Sequence, residues 1–335
     1  MDVKQLHEEA TNLFSKRGTL VSMWQEIADN FYPQRADFTL RRTIGQDWAG
    51  NLTTSYPILT ARELADQIGT MLRPTAKEWF HTITNDPRRE DNEAKRWLQW
   101  AEQTQRRAMY DRASGFTRAV KEGDADYSAF GQNVITVQLN RNRDAFLYRC
   151  WHLRDVAWME NSEGKICCVF RKWKPGCREL KNLFKDKVHR KVEEQAPKTP
   201  FLEVECMHMM VEMDMYDGDI DTYDRGPEGY KATRRKASAT ERDRFKWISI
   251  TYDVLHEHVM EVRACHNKEY VIPRWQTVSG SQYAYSPATV AALPEARLLQ
   301  AMTYTLLEAG EMATNPPMFA TIDAVRSDVA IYASG

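Results

Sequence analysis

The chain has 335 residues, with 46 Lys and Arg against 47 Asp and Glu, so a formal charge of −1 gives it no global attraction for nucleic acid. Ten Trp, 14 Tyr and 12 Phe exclude a disordered polypeptide, and the length suits about two domains. No apolar run approaches the ~18 residues of a spanning helix, and Met1 to Leu6 lacks the apolar core of a signal peptide.

Residues 3–32 read as two helices broken at Lys16-Arg17-Gly18, the second carrying a stripe of Leu20, Met23, Trp24, Ile27 and Phe31 that Pro33 ends. A polar, Arg-rich stretch covers 34–54. Tyr56-Pro57 opens the next helix, in which Ile58, Ala61, Leu64, Ala65, Ile68, Met71 and Leu72 are spaced to face one way until Pro74. Trp79 to Thr84 reads as a short strand. Glu90 to Asp111 reads as a long helix with Glu90 and Asp91 at its positive end, and Phe116 to Ala129 as another, leading into Gly131.

After Gly131 the pattern changes to strands. Val134 to Leu139, Phe146 to Trp151, Ala157 to Glu160 and Ile166 to Lys174 form a meander, with turns at 140–142 and 162–164. A short helix is expected from Glu179 to Asp186. Strands resume at Leu202 to Met213, Phe245 to Val254, His258 to Ala264 and Tyr270 to Ile272. Pro294 then sits at a first helical position, where its missing N–H costs nothing, and Asn315-Pro316-Pro317 ends the run. Between them Leu298, Ala301, Met302, Thr305, Leu306, Ala309 and Met312 recur at helical spacing. Such a helix spans about 30 Å and suits a strut better than a reaction centre. The expected class is α+β: helical first, antiparallel β in the middle, one long helix near the end, without the βαβ alternation of a nucleotide fold.

Chemical signatures are sparse. There is no phosphate-cradling glycine loop and no Gly-x-Ser-x-Gly elbow, so no cofactor is expected. His256-Glu257-His258 does not place two histidines one helical turn apart and reads as a solvated turn. The six cysteines are scattered, which argues for reduced thiols in a cytoplasm rather than a disulfide framework. Cys167, Cys168 and Cys177 lack the spacing of a zinc knuckle and read as core thiols. Asp217, Asp219 and Asp221, with Glu228 twelfth, match calcium-loop ligand positions. The sharp-turn glycine is missing, though, and strands flank the loop where helices should stand.

That acidic loop has a basic counterpart. From Glu212 to Glu228 there are seven acids and one base; from Lys231 to Lys246, seven bases and two acids. Three readings are open. The hairpin arms neutralise one another in solvent; or the acidic arm (Asp217, Asp219, Asp221) meets the basic arm (Arg234, Arg235, Lys236) of a neighbouring copy; or the basic arm is a patch for DNA phosphates.

Trp24-Gln-Glu-Ile27 with Pro33; Leu64-Ala65 through Arg73-Pro74 to Trp79-Phe80; Glu90-Asp91 through Trp97-Leu98; and Ser128 to Gly131 stand in order along the first part of the chain. Together these blocks resemble the head-to-tail connecting (portal) proteins of short-tailed bacteriophages. Pro273-Arg274-Trp275, Tyr285-Ser286-Pro287, Leu293-Pro294 and Asn315-Pro316-Pro317 follow in the family's order, and His208 stands where the family tends to place a histidine. The chain departs from the family pattern at Thr53-Thr54-Ser55 and Ala284-Tyr285.

The resemblance implies a non-enzymatic virion protein. It would be one subunit of a dodecameric ring at a capsid vertex, assembled in the host cytoplasm, through which double-stranded DNA is packaged and ejected. Its partners would be the terminase motor, a tail adaptor, and the major capsid and scaffolding proteins, with no membrane. Residues 1–290 would be the wing, helical over 1–130 and mainly β over 131–276. Residues 291–315 would be the first stem helix and 316–335 the start of the clip, with a second stem helix, the rest of the clip and the crown expected beyond the chain end. Glu295, Arg297, Glu308 and Glu311 would then line the channel, a face with a net charge of −2 over which phosphates slide without being held. Two alternatives stay open: a metal-dependent nucleic-acid-processing enzyme using Asp217, Asp219 and Asp221, and a tail adaptor or internal virion protein.

Overall fold

The computed structural model describes residues 1–316 apart from 41, 42, 44, 46, 48, 51, 75, 76, 87, 89, 227 and 228, with backbone alone at 223–226 and 229–232. Helix α1 (Val3–Lys16) starts from a capping box between Asp2 and Gln5, and α2 (Gly18–Phe31) follows after a single residue. That residue explains the break. Arg17 is 4 % exposed and turns its guanidinium inward to the carbonyls of Leu153 (3.0 Å), Val156 (2.6 Å) and Arg154. Continuing one straight helix would swing it into solvent and strand those carbonyls.

Helices α3 (Tyr56–Leu72), α4 (Asn92–Met109) and α5 (Phe116–Phe130) lie within a residue or two of their expected bounds. The α3 stripe is only partly used: Pro57 and Ala65 are buried, whereas Met71 and Leu72 are exposed. Trp79 to Thr84 is not a strand. Its backbone takes side-chain partners instead, Thr82 N–H donating to Glu102 (3.3 Å) and Thr84 N–H to Glu90 (2.9 Å). Trp79 and Phe80 pack on one another rather than on a neighbouring strand. Carboxylate capture and ring packing stand here in place of sheet pairing.

The expected meander is divided between two sheets. β1 (Val134–Leu139) lies between β2 (Phe146–Trp151) and β10 (Tyr270–Val271). The larger sheet is antiparallel throughout, in the order β3 (Val156–Glu160), β4 (Ile166–Trp173), β5 (Cys206–Glu212), β8 (Trp247–Asp253) and β9 (His258–Cys265). The division falls at the turn over Leu153–Asp155. There Arg17 occupies three carbonyls, and Asp37 accepts from His152 (2.6 Å) and Arg154 (2.8 Å), so β2 and β3 cannot run on into one another. Two short helices, α6 (Cys177–Phe184) and α7 (Arg190–Gln195), fill the β4–β5 connection; α7 has only six residues and leaves no periodic trace in the sequence.

The larger sheet is covered on both faces. Trp158, Val169 and Met210 join Trp24, Ile27 and Phe130 on one side. Phe170, Met207, Met209, Val211, Ile248 and Ile250 join Leu6 and Ala10 of α1 on the other, as strand alternation requires. Burying a leucine-sized side chain is worth about 1.5–3 kcal/mol, so these two clusters supply most of what holds the body together.

The remaining elements are the hairpin β6 (Asp219–Gly226) and β7 (Gly229–Lys236), whose Ile220 enters the core, a short α8 (Ala239–Arg244) and the small pair β11 (Gln276–Thr277) and β12 (Ala284–Tyr285). The last helix, α9 (Pro287–Thr314), starts seven residues earlier than expected, and Pro294 lies inside it. Ser286 is the N-cap, its hydroxyl accepting from Thr289 N–H (3.4 Å), and Pro287 takes the first-turn position where a missing N–H is harmless. Pro294 therefore removes one interior hydrogen bond, that of the Val290 carbonyl.

Candidate functional site

Helix α9 is rooted in the end of α5. Ser286 Oγ donates to the Ser128 carbonyl (2.6 Å) and Thr289 Oγ1 to that of Ala129 (2.7 Å), taking two acceptors that the last turn of α5 leaves unpaired. Gly131 ends α5 in the left-handed region at φ +72°, and a Cβ there would lie 2.1 Å from the Tyr285 carbonyl carbon. Leu293 and Ala296 then enter the core beside Trp24. Gln300 makes the last anchor, its Oε1 accepting from Thr53 N–H (2.8 Å) and its Nε2 donating to the Thr54 carbonyl (3.2 Å).

Beyond Gln300 the helix leaves the body. Every residue from 301 to 314 except Thr303 is exposed, including Met302, Tyr304, Leu306 (72 %), Leu307 and Met312. At 3.6 residues per turn, Leu298, Met302, Leu306, Ala309 and Ala313 form one apolar arc pointing away from the body. Arg297, Glu308 and Glu311 share an arc of about 60° on the other side, together with Tyr304. Glu295 lies roughly opposite, among the apolar residues. The four channel-lining candidates thus divide between two sides of the helix. Arg297 also turns back on α2, where its Nε donates to Glu26 (2.6 Å), leaving Glu308 and Glu311 as the charges of the outer half.

The charged hairpin pairs with itself in register, Asp219 opposite Lys236 and Asp221 opposite Arg234. Asp221 is 7 % exposed and accepts from Arg234 Nε (2.8 Å) and Lys187 Nζ (2.9 Å). Burial would raise this carboxyl, but those two cations and the Val262 N–H outweigh it and leave the pKa below the usual range. Asp217 accepts from the N-terminal amine (2.9 Å), and Arg235 forms a bidentate pair with Glu241 (2.8 and 2.9 Å). Asp219 and Lys236 remain exposed, with no hydrogen bond or ion pair of their side chains among the described residues. Asp217, Asp219 and Asp221 do not gather their oxygens into one group, and Glu228 lies outside the described residues.

His256-Glu257-His258 forms the expected turn, but its histidines are not solvated. His256 pairs with the buried Asp253 (2.7 Å) and stacks on His189 (4.6 Å between rings), while His258 Nε2 donates to the Lys187 carbonyl (2.9 Å). The short turn folds back on the α6–α7 connection, which the local pattern could not disclose. All six cysteines are free thiols, four of them buried.

His208 is enclosed. Its Nδ1 lies 2.6 Å from Tyr270 Oη and its Nε2 2.9 Å from Ser249 Oγ, bridging the two sheets. Complete burial, then the Arg171 and Arg263 charges, depress its pKa well below the usual imidazole value, so it is held neutral. It is a core hydrogen-bonding residue. Sequence reasoning missed the α9 socket (Ser128, Ser286, Thr289) and the Thr53–Gln300 clamp; Ser286-Pro287 was a legible cap signal that Pro294 overshadowed.

A search of curated proteins finds no match. The family described as bacteriophage head to tail connecting protein matches residues 3–332. The chain belongs to that family. Its members are structural rather than enzymatic, and their place is the virion, where capsid and tail join. In this head-to-tail connecting protein no helix among the described residues is long and apolar enough to cross a membrane.

Proposed function

We propose that this chain is one subunit of a dodecameric portal ring at a capsid vertex, through which double-stranded DNA is packaged and later ejected. The observation that carries the proposal is α9, about 42 Å long by its residue count, rooted at one end and exposed along its outer half. Isolated helices of this kind are marginal in water, and an apolar arc of Leu298, Met302 and Leu306 invites cover by adjacent copies. On this reading residues 1–290 are the wing, the outer part of α9 is the first stem helix, and 316–335 begin a clip contacted by terminase motor and tail adaptor; residues 317–335 lie outside the described ones. Major capsid and scaffolding proteins would hold the wing.

Glu308 and Glu311 would then form a ring of negative charge past which phosphates slide, since every lysine or arginine contact adds counterion-release affinity. The hairpin arms would meet across subunits through Asp219 and Lys236, the two of the six arm candidates with no side-chain partner among the described residues.

The test is the mass of the purified protein in solution, with negative-stain images. A closed ring supports the reading; a monomer with divalent-dependent nuclease activity would favour carboxylate chemistry and end it.

A further inference from the structure

The extended segment before α4 and the buried flank of that helix bring together three groups suited to a metal. Glu78 and His81 stand three residues apart on the segment, and Glu102 comes from α4. One ligand atom from each lies within 4.8 Å of the others, and His81 Nδ1 is 3.2 Å from Glu102 Oε2. Donors around one tetrahedral ion with ~2.1 Å bonds stand about 3.4 Å apart, so the His81–Glu102 pair already has that separation. Glu78 and His81 are exposed and free to rotate the remaining distance.

A second observation is independent of that spacing. Glu102 is only 7 % exposed, yet no Lys or Arg among the described residues is within ion-pair distance of it; its partners are His81 and the Thr82 N–H. A buried carboxylate normally requires a paired cation, and among the described residues only a protonated His81, or an ion bound between the two, can be that cation. Glu78 has no hydrogen bond or ion pair among the described residues and stands beside it with a second carboxylate.

We propose that Glu78, His81 and Glu102 bind one divalent transition-metal ion, of which Zn²⁺ is the natural probe. An imidazole beside two carboxylates suits zinc, whereas magnesium and calcium prefer oxygen alone. Glu102 is the fixed anchor and the other two close over the ion. Exposure on that side leaves a fourth position for water. The ion would staple an extended segment that has no strand partner among the described residues to α4.

The experiment titrates the full-length, metal-free protein with Zn²⁺ by calorimetry, with Co²⁺ absorption as a spectroscopic check, and follows amide exchange over residues 78–84. One ion per chain is expected, with slower exchange in that segment on binding. His81→Ala and Glu78→Gln, both exposed positions that should leave folding intact, should each weaken binding at least tenfold and abolish the exchange effect. An absence of stoichiometric Zn²⁺ binding by the wild type overturns the proposal. Unchanged affinity in both variants does so as well, by assigning the zinc to other side chains.

Discussion

His208 shows how a single residue can carry a pH signature without any catalytic role. Its folded pKa lies well below the ordinary 6.5, so below pH 6.5 the unfolded chain binds a proton that the native state refuses. Stability should therefore be full above that pH and fall with acidification, by up to about 1.4 kcal/mol per pH unit. Denaturant midpoints between pH 7 and 5 should show this slope, and a His208→Gln variant should lose most of it. An unchanged slope in the variant would assign the acid sensitivity elsewhere.

Asp37 works over a different window. Burial favours its protonated form, but the His152 hydrogen bond and the Arg154 guanidinium prevail and hold its pKa at about 2 against an ordinary 3.8. Its contribution is thus present above pH 4 and lost as pH falls toward 2. Discounted for partial exposure, the effect is on the order of 1 kcal/mol. Asp37→Asn should cost that much at pH 7 and almost nothing at pH 2, as equilibrium unfolding can measure.

The decisive element is α9, and its direction is set at its root. Gly131→Ala would drive a methyl into the Tyr285 backbone and force an alanine to φ +72°. We expect a loss of about 3 kcal/mol or more, with faster amide exchange at 286–296 before any change in α1. Uniform destabilisation would show that the socket is not a local determinant of the helix. Ser286→Ala is the milder companion: losing the cap and the Ser128 bond together should cost about 1–2 kcal/mol.

For the whole molecule, the predictions depend on copies meeting. Leu306→Glu places a charge on the apolar arc, where an isolated chain would lose nothing because the residue is already 72 % exposed. The monomer should melt as the wild type does while assembly fails, which light scattering can follow. Rings formed at normal yield would place that arc away from any subunit contact. The lumenal side can be located by reversal: Glu308→Lys with Glu311→Lys should slow DNA packaging, whereas Glu295→Lys, on the opposite side, should not. Slowing by Glu295→Lys alone would turn the helix round.

Much of this was legible along the chain because it depends on neighbours within a few residues. Proline, glycine and cap positions located most helices and nearly every strand of the larger sheet, and the charge runs located the hairpin. The ordered blocks from Trp24 to Pro317 identified the family. What sequence reasoning missed depends on distant partners. Trp79 to Thr84 reads as a strand, yet its backbone is claimed by Glu90 and Glu102. The meander splits because Arg17, some 136 residues away in sequence, takes the carbonyls at its midpoint.

The sequence by itself determined the alternation of helices and strands, the α+β class and the membership of a connector family, since local sterics and periodic burial write directly into residue order. Only the tertiary structure decided where α9 begins, which of its charges turn inward and which hairpin acids are already spent. Those outcomes are contests between partners far apart in the chain, and a linear pattern does not record which partner wins.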